Sequence, residues 1–456
     1  MKTPRILHVV HGFPPESHGG IESYVTELMR GQSETTCEVG LLHGSFEPRK
    51  PARAVQKPGP YGPVWRLHRD DAYSDYWDRA YHLGAGRCFA EVLEQWRPEI
   101  VHLHQWIRLS CDLVQIAEDQ GIATVVTLHD LSASCPACFR QRPDGSHCER
   151  RLSADQCLDC VPTRGHESER ELREGIELFA DSMRAELLRA RRVLAATRAT
   201  ADLVQRGLRL EDLQIELQPL GYTKRFEDCQ VPELAWQEGE ELRFAYWGNV
   251  TARKGVDTLL QALRLLAERR ELRGRLSLDI FGRCDSEELR VRLEELARGL
   301  PVRIRGAYQW QEIANAAPHI AVFPSDCFET YGFVLDEAFE LGRPVLATGV
   351  GAFAERVGEG GWLVPPGAAT ALAETIERIL ADPSQVLEKA AKRPQVSQDA
   401  KEHCQTILQQ YFAALAEHPH PVAGVPLERR LELEQMRRDG ATLSPPAQRG
   451  LQRKLT

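Results

Sequence analysis

The chain has 456 residues, 42% of them hydrophobic and 27% charged, and a formal net charge of -9. This length is too great for one ordinary core and predicts two domains of about 200 residues each. The acidic balance argues against a nucleic-acid partner, and no apolar run approaches the ~20 residues that a membrane-spanning helix needs. The first ten residues lack the apolar core and cleavage site of a secretory signal, so we predict a cytoplasmic protein.

The first half of the chain shows the alternation of strands and helices that is typical of a doubly wound α/β domain. Arg5 to Val10 is a buried strand, and Gly19 and Gly20 open a helix that follows it. Paired glycines let a backbone approach a ligand closely, although a plain loop before a helix gives the same pattern. The segment from Glu47 to Pro63 is rich in Pro, Lys and Arg without periodicity, and we predict a surface loop there.

Two further predicted strands lead to histidines, His104 and His129. Ligands of an open parallel sheet bind at the carboxyl ends of its strands, so both imidazoles are candidates for ligand contact. A histidine at a strand end is more often structural than functional. A cluster of arginines lies near the end of the next predicted helix: Arg184, Arg189, Arg191 and Arg192. This pattern is typical of a solvated helix face, and the alternative is a contact with lipid at a membrane surface.

Five of the twelve cysteines lie in one polar segment: Cys135, Cys138, Cys148, Cys157 and Cys160. Eighteen residues separate the two C-x2-C pairs, and this spacing is typical of a structural zinc site. Because the segment has little apolar content, a bound metal would be its main source of order. Free cysteines in a surface loop and an iron–sulfur cluster are the alternatives.

The second half begins with a strand from Phe244 to Val250, followed by a loop containing Arg253 and Lys254 and by a helix. Adjacent cations beside a helix N-terminus form an anion site. A capped surface helix is the structural alternative.

A later strand leads into a loop with Glu329, and the helix that opens at Phe333 carries Glu337 about two turns in. The backbone N–H groups near Tyr331 to Val334 would provide a second phosphate site. Two carboxylates placed apart around such a site suit a long ligand with two ends, such as a nucleotide sugar.

The spacing Glu329-x7-Glu337, followed by Gly342-Arg343-Pro344-Val345 and by the run from Gly361 to Gly367, resembles the donor-site signature of retaining GT-B glycosyltransferases of family GT4. The resemblance covers roughly residues 5 to 415. It implies the GT-B fold, in which two Rossmann-like α/β domains face each other across a cleft.

The resemblance also implies roles for single residues. Lys254 would bind the donor diphosphate, Glu337 the ribose hydroxyls, and Glu329 and His129 the transferred sugar. Family members often carry arginine where this chain has Asn249, so Arg253 is expected to substitute for that cation. The complete predicted set is Glu329, His129 and Lys254 for catalysis and Gly19, Gly20, Asn249, Arg253, Lys254, Tyr331, Gly332, Phe333, Val334 and Glu337 for donor binding.

A subgroup of the resembled family has cysteines that match Cys135, Cys148, Cys157 and Cys160, which would make Cys138 the spare. The spacing alone favours neither this set nor the two C-x2-C pairs.

The resemblance suggests an order of domains along the chain. We predict an acceptor-side domain over residues 1–222 with a Cys-rich insertion at 131–165, a linker at 223–241, a nucleotide-sugar domain over 242–400, a returning helix at 401–418 and a flexible tail with one short helix at 419–456.

The predicted function is transfer of a hexosyl residue from a nucleoside diphosphate sugar to a hydroxyl acceptor, with retention of configuration, in glycan, glycolipid or polysaccharide biosynthesis. The acceptor could be a glycan, a lipid-linked group or a small molecule. Because the chain contains no Asp-x-Asp motif, we expect no catalytic metal. A paired-carboxylate glycosidase, a nucleotide-sugar epimerase or phosphorylase on the same fold, and a zinc-containing nucleic-acid module are the alternatives.

Overall fold

A computed structural model gives the structure of the chain. It describes residues 4–71, 81–161, 163, 167–237, 239–269, 271–272, 274–396 and 398–443. The chain divides into two compact units, of which unit 1 comprises residues 1–221 and 400–456 and unit 2 comprises residues 222–399. The predicted linker at 223–241 belongs to unit 2, where the backbone N–H groups of Arg225 and Phe226 donate to the Glu340 carboxylate at 2.8 and 3.0 Å.

Unit 1 is built around a sheet that contains eight strands within the described residues. The strands are β1 Arg5–Val10, β2 Glu38–Gly44, β3 Arg53–Pro58, β4 Pro63–His68, β5 Ile100–Leu103, β6 Ala123–Leu128, β7 Arg192–Ala195 and β8 Glu216–Leu217. The helices are α1 Gly20–Ser33, α2 Leu83–Trp96, α3 Leu113–Asp119, α4 Ala154–Cys157, α5 Glu169–Arg189, α6 Arg198–Leu208, α14 Ala400–Ala416 and α15 Leu427–Leu443.

The strand order in unit 1 is β3-β4-β2-β1-β5-β6-β7-β8, and every neighbouring pair is parallel except β3 with β4. The chain builds outward from β1 in one direction and from β5 in the other. The order therefore reverses between β1 and β5, and the carboxyl ends of these strands form the crevice where ligands of such sheets bind.

The prediction of a loop from Glu47 to Pro63 is wrong for β3. This strand pairs antiparallel with β4, from Arg53 opposite His68 to Pro58 opposite Pro63. As an edge strand it is held by backbone hydrogen bonds while most of its side chains remain exposed. Its side chains therefore show no apolar period, and composition alone resembles that of a loop.

Unit 2 contains a six-stranded parallel sheet in the described part of the chain, with order β11-β10-β9-β12-β13-β14. The strands are β9 Leu242–Trp247, β10 Leu276–Phe281, β11 Val302–Gly306, β12 Ile320–Phe323, β13 Val345–Thr348 and β14 Gly361–Val364. The helices are α7 Val256–Ala267, α8 Glu287–Ala297, α9 Trp310–Ala316, α10 Phe333–Glu340, α11 Ala352–Arg356, α12 Ala369–Ala381 and α13 Ser384–Ala391. Here the order reverses between β9 and β12. Both units are thus doubly wound, as predicted.

The segment predicted as a flexible tail contains a long helix in the structure. Helix α15 packs against α5, and Leu433 and Arg430 are buried there. Arg430 Nη1 lies 2.9 Å from a carboxylate oxygen of Asp112, and its Nη2 lies 3.1 Å from the side-chain oxygen of Gln115. The sequence did not predict this contact, because α15 is rich in charged residues and a sequence does not show which charged side chains are buried in ion pairs. Residues 444–456 lie outside the described residues.

We expect Arg430→Ala to lower the unfolding free energy of unit 1 by about 3 kcal/mol, because it leaves the Asp112 carboxylate buried without its cation. Burial already raises the pKa of Asp112, and the Arg430 charge opposes that shift. Chemical denaturation followed by circular dichroism measures the change. Arg429→Ala is the matched control, since Arg429 pairs with Asp181 at 2.5 Å where both side chains are more than a third exposed, and its loss should cost under about 1 kcal/mol.

The cluster of basic residues near the end of α5 is bound to acidic groups. Arg184 pairs with Asp181, Arg189 with Asp119, Arg191 with Glu118, and Arg192 with Glu216 and Glu417. These carboxylates offset the positive charge that a lipid or phosphate would need. Among the described helices, none combines the length and the apolar character that crossing a membrane requires.

Candidate active site

The site in unit 2 lies at the carboxyl ends of β9 and β12, where the strand order reverses. A short 3-10 turn, Ala252–Lys254, follows β9 and places the Lys254 ammonium 2.6 Å from a carboxylate oxygen of Glu329. Ser325 donates its hydroxyl to the same oxygen at 2.6 Å. Burial lowers the pKa of Lys254, but the Glu329 charge, the Cys327 charge and the hydrogen bond to Glu329 together outweigh burial and hold that pKa above its ordinary value. Lys254 is therefore a fixed cation that is still about a third exposed.

Backbone packing explains why Lys254 meets Glu329. Gly255 adopts a left-handed conformation with φ of 66°, and a Cβ at this position would lie 1.9 Å from the Pro324 carbonyl oxygen. Only glycine tolerates both the dihedral angle and the contact. The Arg253 carbonyl accepts the Asp326 N–H at 2.8 Å, which joins the turn after β9 to the loop after β12. The Arg253 backbone thus holds the site together, while its expected phosphate contact stays a prediction.

Helix α10 begins at Phe333, as predicted, but Glu337 lies only slightly more than one turn into it and not two, because one turn takes about 3.6 residues. Its side chain is buried, and Trp247 donates its indole N–H to the carboxylate at 2.7 Å. Burial raises the pKa of Glu337 to about 7. The Glu337 carboxyl is therefore partly protonated near neutral pH, and its oxygen atoms can form hydrogen bonds with ligand hydroxyls in a setting with little competing water.

The N-terminus of α10 is shaped by Gly332 and Arg356. Gly332 has φ of 76°, and a Cβ there would lie 2.4 Å from the Phe353 ring. Arg356 donates to the carbonyls of Tyr331 and Gly332 at 2.8 and 3.2 Å and to Asp336 at 2.8 Å. Its guanidinium also stacks 3.9 Å from the centre of the Tyr331 ring. These contacts fix the backbone from Tyr331 to Val334, where the N–H groups of the first helical turn begin.

The structure separates the other predicted donor residues into two sets. Asn249 follows β9 in unit 2, and its carbonyl accepts the Tyr246 hydroxyl at 2.7 Å. Gly19 and Gly20 lie in unit 1, at the loop where α1 begins after β1. Glu22 in the first turn of α1 is buried and lies 3.4 Å from His11, a group that the sequence did not single out.

In unit 1, His129 follows β6 and belongs to a chain of buried histidines. Its Nε2 lies 2.9 Å from Nδ1 of His104, and Nε2 of His104 lies 3.0 Å from Nδ1 of His8. Nε2 of His8 lies 2.8 Å from the side-chain oxygen of Gln32. Burial lowers the pKa of His8 to about 4 and that of His129 to about 3. All three imidazoles are therefore neutral at pH 7.

Gln32 at the far end of this chain determines which nitrogen of each ring carries the proton. The amide of Gln32 donates to Tyr411 at 3.2 Å, so its oxygen accepts a proton from Nε2 of His8. Each following ring then accepts at Nδ1 and donates from Nε2. His129 is thereby held in the tautomer whose Nδ1 is an acceptor, which suits a hydroxyl donor such as a sugar.

The cysteine segment forms a small lobe against α6. Cys135, Cys148, Cys157 and Cys160 all line one cavity, and Cys138 is not among the lining residues. Burial, followed by the charges of Cys135, Cys148 and Cys157, raises the pKa of Cys160 to about 11. Which of the five cysteines bind a metal, and whether any do, stays a prediction.

Comparison with known proteins identifies the family. The model described as Glycosyltransferase Family 4 matches residues 18–222, and the model described as Glycosyl transferases group 1 matches residues 241–382. The chain belongs to the GT4-type glycosyltransferases. The predicted family is thereby confirmed.

Two curated relatives and one solved structure illustrate the similarity. The glycosyltransferase is 37% identical over 134 residues to a phosphatidyl-myo-inositol mannosyltransferase of Mycobacterium leprae, a match that covers 28% of this chain and 34% of that protein. It is 25% identical to D-inositol 3-phosphate glycosyltransferase 1 of Catenulispora acidiphila, over 81% of this chain and 84% of that one. HepE of Anabaena, solved with UDP and glucose, aligns at a TM-score of 0.55 and 16% identity over 90% of this chain and all of that one. This likeness and the two doubly wound units confirm the GT-B fold.

Some residues that build the site had weak or no sequence signals. Ser325 directly follows the proline after a predicted strand, so its position at a strand end could have pointed to it. Trp247 lies inside the strand predicted from Phe244 to Val250, and only the observed strand β9 ends at this residue. Arg356 has no such signal, because it is distant in sequence from the loop that it holds. Only folding brings its guanidinium to Tyr331.

Proposed function

We propose that the protein transfers a sugar from a nucleoside diphosphate sugar to a hydroxyl acceptor with retention of configuration. The Lys254–Glu329 pair beside the N-terminus of α10 is the observation that carries this proposal. It places a fixed cation next to a carboxylate at the reversal point of the unit 2 sheet. Membership of the GT4-type family supports the same reaction.

Departure of the diphosphate is the demanding step, because negative charge builds on it as the bond to the anomeric carbon breaks. Lys254 and the N–H groups at the start of α10 would stabilise that charge. Glu337 would hold the ribose hydroxyls, and Glu329 would contact the transferred sugar. The UDP and glucose bound by the related HepE support a donor of this chemical class.

In this proposal, unit 1 provides the acceptor side of the reaction. Nδ1 of His129 would accept a hydrogen bond from a hydroxyl of the transferred sugar, while the chain through His104 and His8 prevents the ring from rotating. The two curated relatives described above are transferases named for an inositol lipid and an inositol phosphate. A polyol or lipid-linked polyol is therefore our proposed acceptor class, in glycolipid or glycan biosynthesis in the cytoplasm.

We expect transfer to continue in excess EDTA, because Lys254 and the α10 N-terminus supply the positive charge that a metal supplies in other transferases. A thermal-shift screen of UDP-, GDP- and ADP-sugars identifies the donor. Proton NMR then measures the anomeric coupling of the product, which reports its configuration. Retained configuration with chelator present supports the proposal.

Three results would contradict it. Activity that returns only with added magnesium or manganese would require a catalytic metal. Inverted configuration would exclude the retaining mechanism. Hydrolysis of a chromogenic glycoside without any nucleotide would instead indicate a glycosidase.

A further inference from the structure

Helix α14 contributes a buried hydroxyl to the histidine chain of unit 1. The Tyr411 hydroxyl lies 2.7 Å from Nδ1 of His102 and 3.2 Å from the side-chain nitrogen of Gln32. The other ring nitrogen of His102, Nε2, lies 2.7 Å from the Thr127 hydroxyl. Burial holds the pKa of Tyr411 well above its usual value, so the phenol keeps its proton near neutral pH. The same hydroxyl can therefore donate one hydrogen bond and accept another.

These contacts extend the histidine chain into one continuous row of hydrogen bonds, which we call the relay. Its members, in order, are His129, His104, His8, Gln32, Tyr411, His102 and Thr127. Hydroxyl groups can rotate and neutral imidazoles can exchange tautomers, so most members adapt to either direction of donation. An amide does not adapt in this way, because its nitrogen only donates and its oxygen only accepts. The orientation of the Gln32 amide therefore decides the direction of every bond in the relay.

The distance between Gln32 and Tyr411 fixes the orientation of that amide. Hydrogen bonds of the N–H···O type have lengths of about 2.7 to 3.2 Å, whereas those of the O–H···O type are about 2.5 to 3.0 Å long. The separation of 3.2 Å fits an amide N–H that donates to the Tyr411 oxygen, and it is too long for a hydroxyl that donates to an amide oxygen. The Tyr411 proton is then directed to Nδ1 of His102 at 2.7 Å. Toward Gln32, Tyr411 thus acts as an acceptor.

Helix α14 also reaches His129 from a second side. The Tyr24 hydroxyl lies 2.8 Å from Nε2 of His403 on α14. The ring of Tyr24 packs edge-on against the ring of His129, with centroids 4.9 Å apart. This packing restrains the position of the His129 ring, whereas the relay sets which of its nitrogens carries the proton. One helix thus influences both the position and the tautomer of this side chain.

We propose that Tyr411 is a positioning residue for the sugar transfer, because its hydroxyl holds the Gln32 amide in one orientation and thereby keeps Nδ1 of His129 unprotonated. This inference rests on the proposed function, in which that nitrogen accepts a hydrogen bond from a hydroxyl of the transferred sugar. Without the Tyr411 hydroxyl, either orientation of the amide leaves one of its polar atoms without this partner. The two tautomers of His129 then become similar in free energy.

Two tyrosine variants separate the relay from its surroundings. Tyr411→Phe removes the hydroxyl and keeps the ring that fills the core. Tyr24→Phe is the matched control, because it removes a buried hydroxyl bonded to α14 that is not a member of the relay. In the wild type and in the control, Nε2 of His129 should carry the proton with a preference of at least about fivefold over Nδ1. In Tyr411→Phe the two populations should become nearly equal.

Two-dimensional proton–nitrogen NMR of the full chain, with nitrogen-labelled histidine, distinguishes a protonated from an unprotonated ring nitrogen. The signal of His129 is identified by its loss in His129→Gln. Steady-state kinetics measures the consequence for the reaction, and kcat of Tyr411→Phe should fall about fivefold. Affinity for the nucleoside diphosphate, measured by titration, should stay at the wild-type value, because the residues assigned to that ligand lie in unit 2.

A proton on Nδ1 of His129 in the wild type would overturn the proposal, and this measurement needs no variant. An unchanged tautomer in Tyr411→Phe would also overturn it, as would equal shifts in both tyrosine variants, which would indicate a general loss of packing. A shifted tautomer with unchanged kcat would disprove the positioning role. The tautomers are measured without substrate, so failure of the proposed function, seen as absence of sugar transfer in the wild type, is distinguishable from failure of this inference.

Discussion

Replacement of Lys254 by alanine is expected to lower kcat/KM by about 10²- to 10³-fold, the usual cost of removing one group that stabilises charge on a leaving group. The ammonium lies 2.6 Å from Glu329 and remains accessible, so a diphosphate can take over part of this contact when it binds. We therefore expect Lys254→Ala to weaken binding of the nucleoside diphosphate itself. Isothermal titration measures that affinity, and a wild-type value would contradict the assigned role.

Variants of the two carboxylates separate binding from turnover. Glu329→Gln should reduce kcat more than nucleotide affinity, because this side chain would meet the sugar rather than the diphosphate. Glu337→Gln should weaken nucleotide binding while its amide oxygen still accepts from Trp247. Glu337→Ala would not separate the loss of the nucleotide contact from the loss of the Trp247 hydrogen bond, since it leaves the buried indole N–H without an acceptor.

A double-mutant cycle tests whether Lys254 and Glu329 act as a unit. The double variant Lys254→Ala/Glu329→Gln should be less impaired than the product of the single losses predicts, because directly paired charges are coupled. Lys392 is the matched control in the same unit. It pairs with Glu388 at 2.7 Å where both side chains are largely exposed, so Lys392→Ala should leave activity and nucleotide affinity unchanged.

Acid should unfold unit 1 at a pH where unit 2 remains folded. His8, His102, His104 and His129 are buried and neutral, and burial lowers the pKa of each. An unfolded histidine binds a proton below about pH 6.5. The pKa is about 4 for folded His8 and about 3 for folded His129, and it lies well below the ordinary value for His102 and His104. The unfolded state thus binds more protons, and stability is lost as the pH falls from 6.5 toward 4. The loss at pH 5.5 is about 1.4 kcal/mol for each histidine.

Glu186 opposes part of this effect. Burial raises the pKa of this unit 1 carboxyl to about 7, so the folded state binds the proton at a higher pH than the unfolded state does. This difference adds about 2 kcal/mol to the free energy of unfolding as the pH falls from 7.5 to 5.5. The net loss from the four histidines and Glu186 is then about 3 to 4 kcal/mol, a large share of the stability of a domain. In unit 2, protonation of Glu337 adds stability over the same range.

Differential scanning calorimetry between pH 7.5 and 5 measures the melting temperature of unit 1 and so tests the prediction. His102→Gln should flatten the pH dependence by removing one of the four histidine contributions, because an amide can still bond Thr127 and Tyr411 but does not titrate. The exposed His420→Gln is its control and should leave the curve unchanged. Equal melting temperatures of unit 1 at pH 7.5 and 5.5 would show that the buried histidines do not govern acid stability.

The class of fold and the family could be predicted from the sequence alone. Strand β1 was predicted with its observed bounds, and the returning helix α14 within two residues at each end. Local signals suffice for such elements, because a buried parallel strand is an apolar run and an amphipathic helix has a regular period. The placement of Glu329 in a loop and Glu337 in a helix followed from the same patterns.

Which residues pair or pack with one another could be seen only in the folded structure. The pairing of β3 with β4, the burial of Arg430 and the stacking of Arg356 on Tyr331 join residues that are distant in sequence or lack any period. Which of the five cysteines line one cavity has the same origin, since Cys138 has a left-handed conformation while a chain reversal brings Cys148 back to that cavity. Spacing along a chain limits which side chains can meet, but the direction of each Cα–Cβ bond, which only the folded backbone sets, decides which ones do.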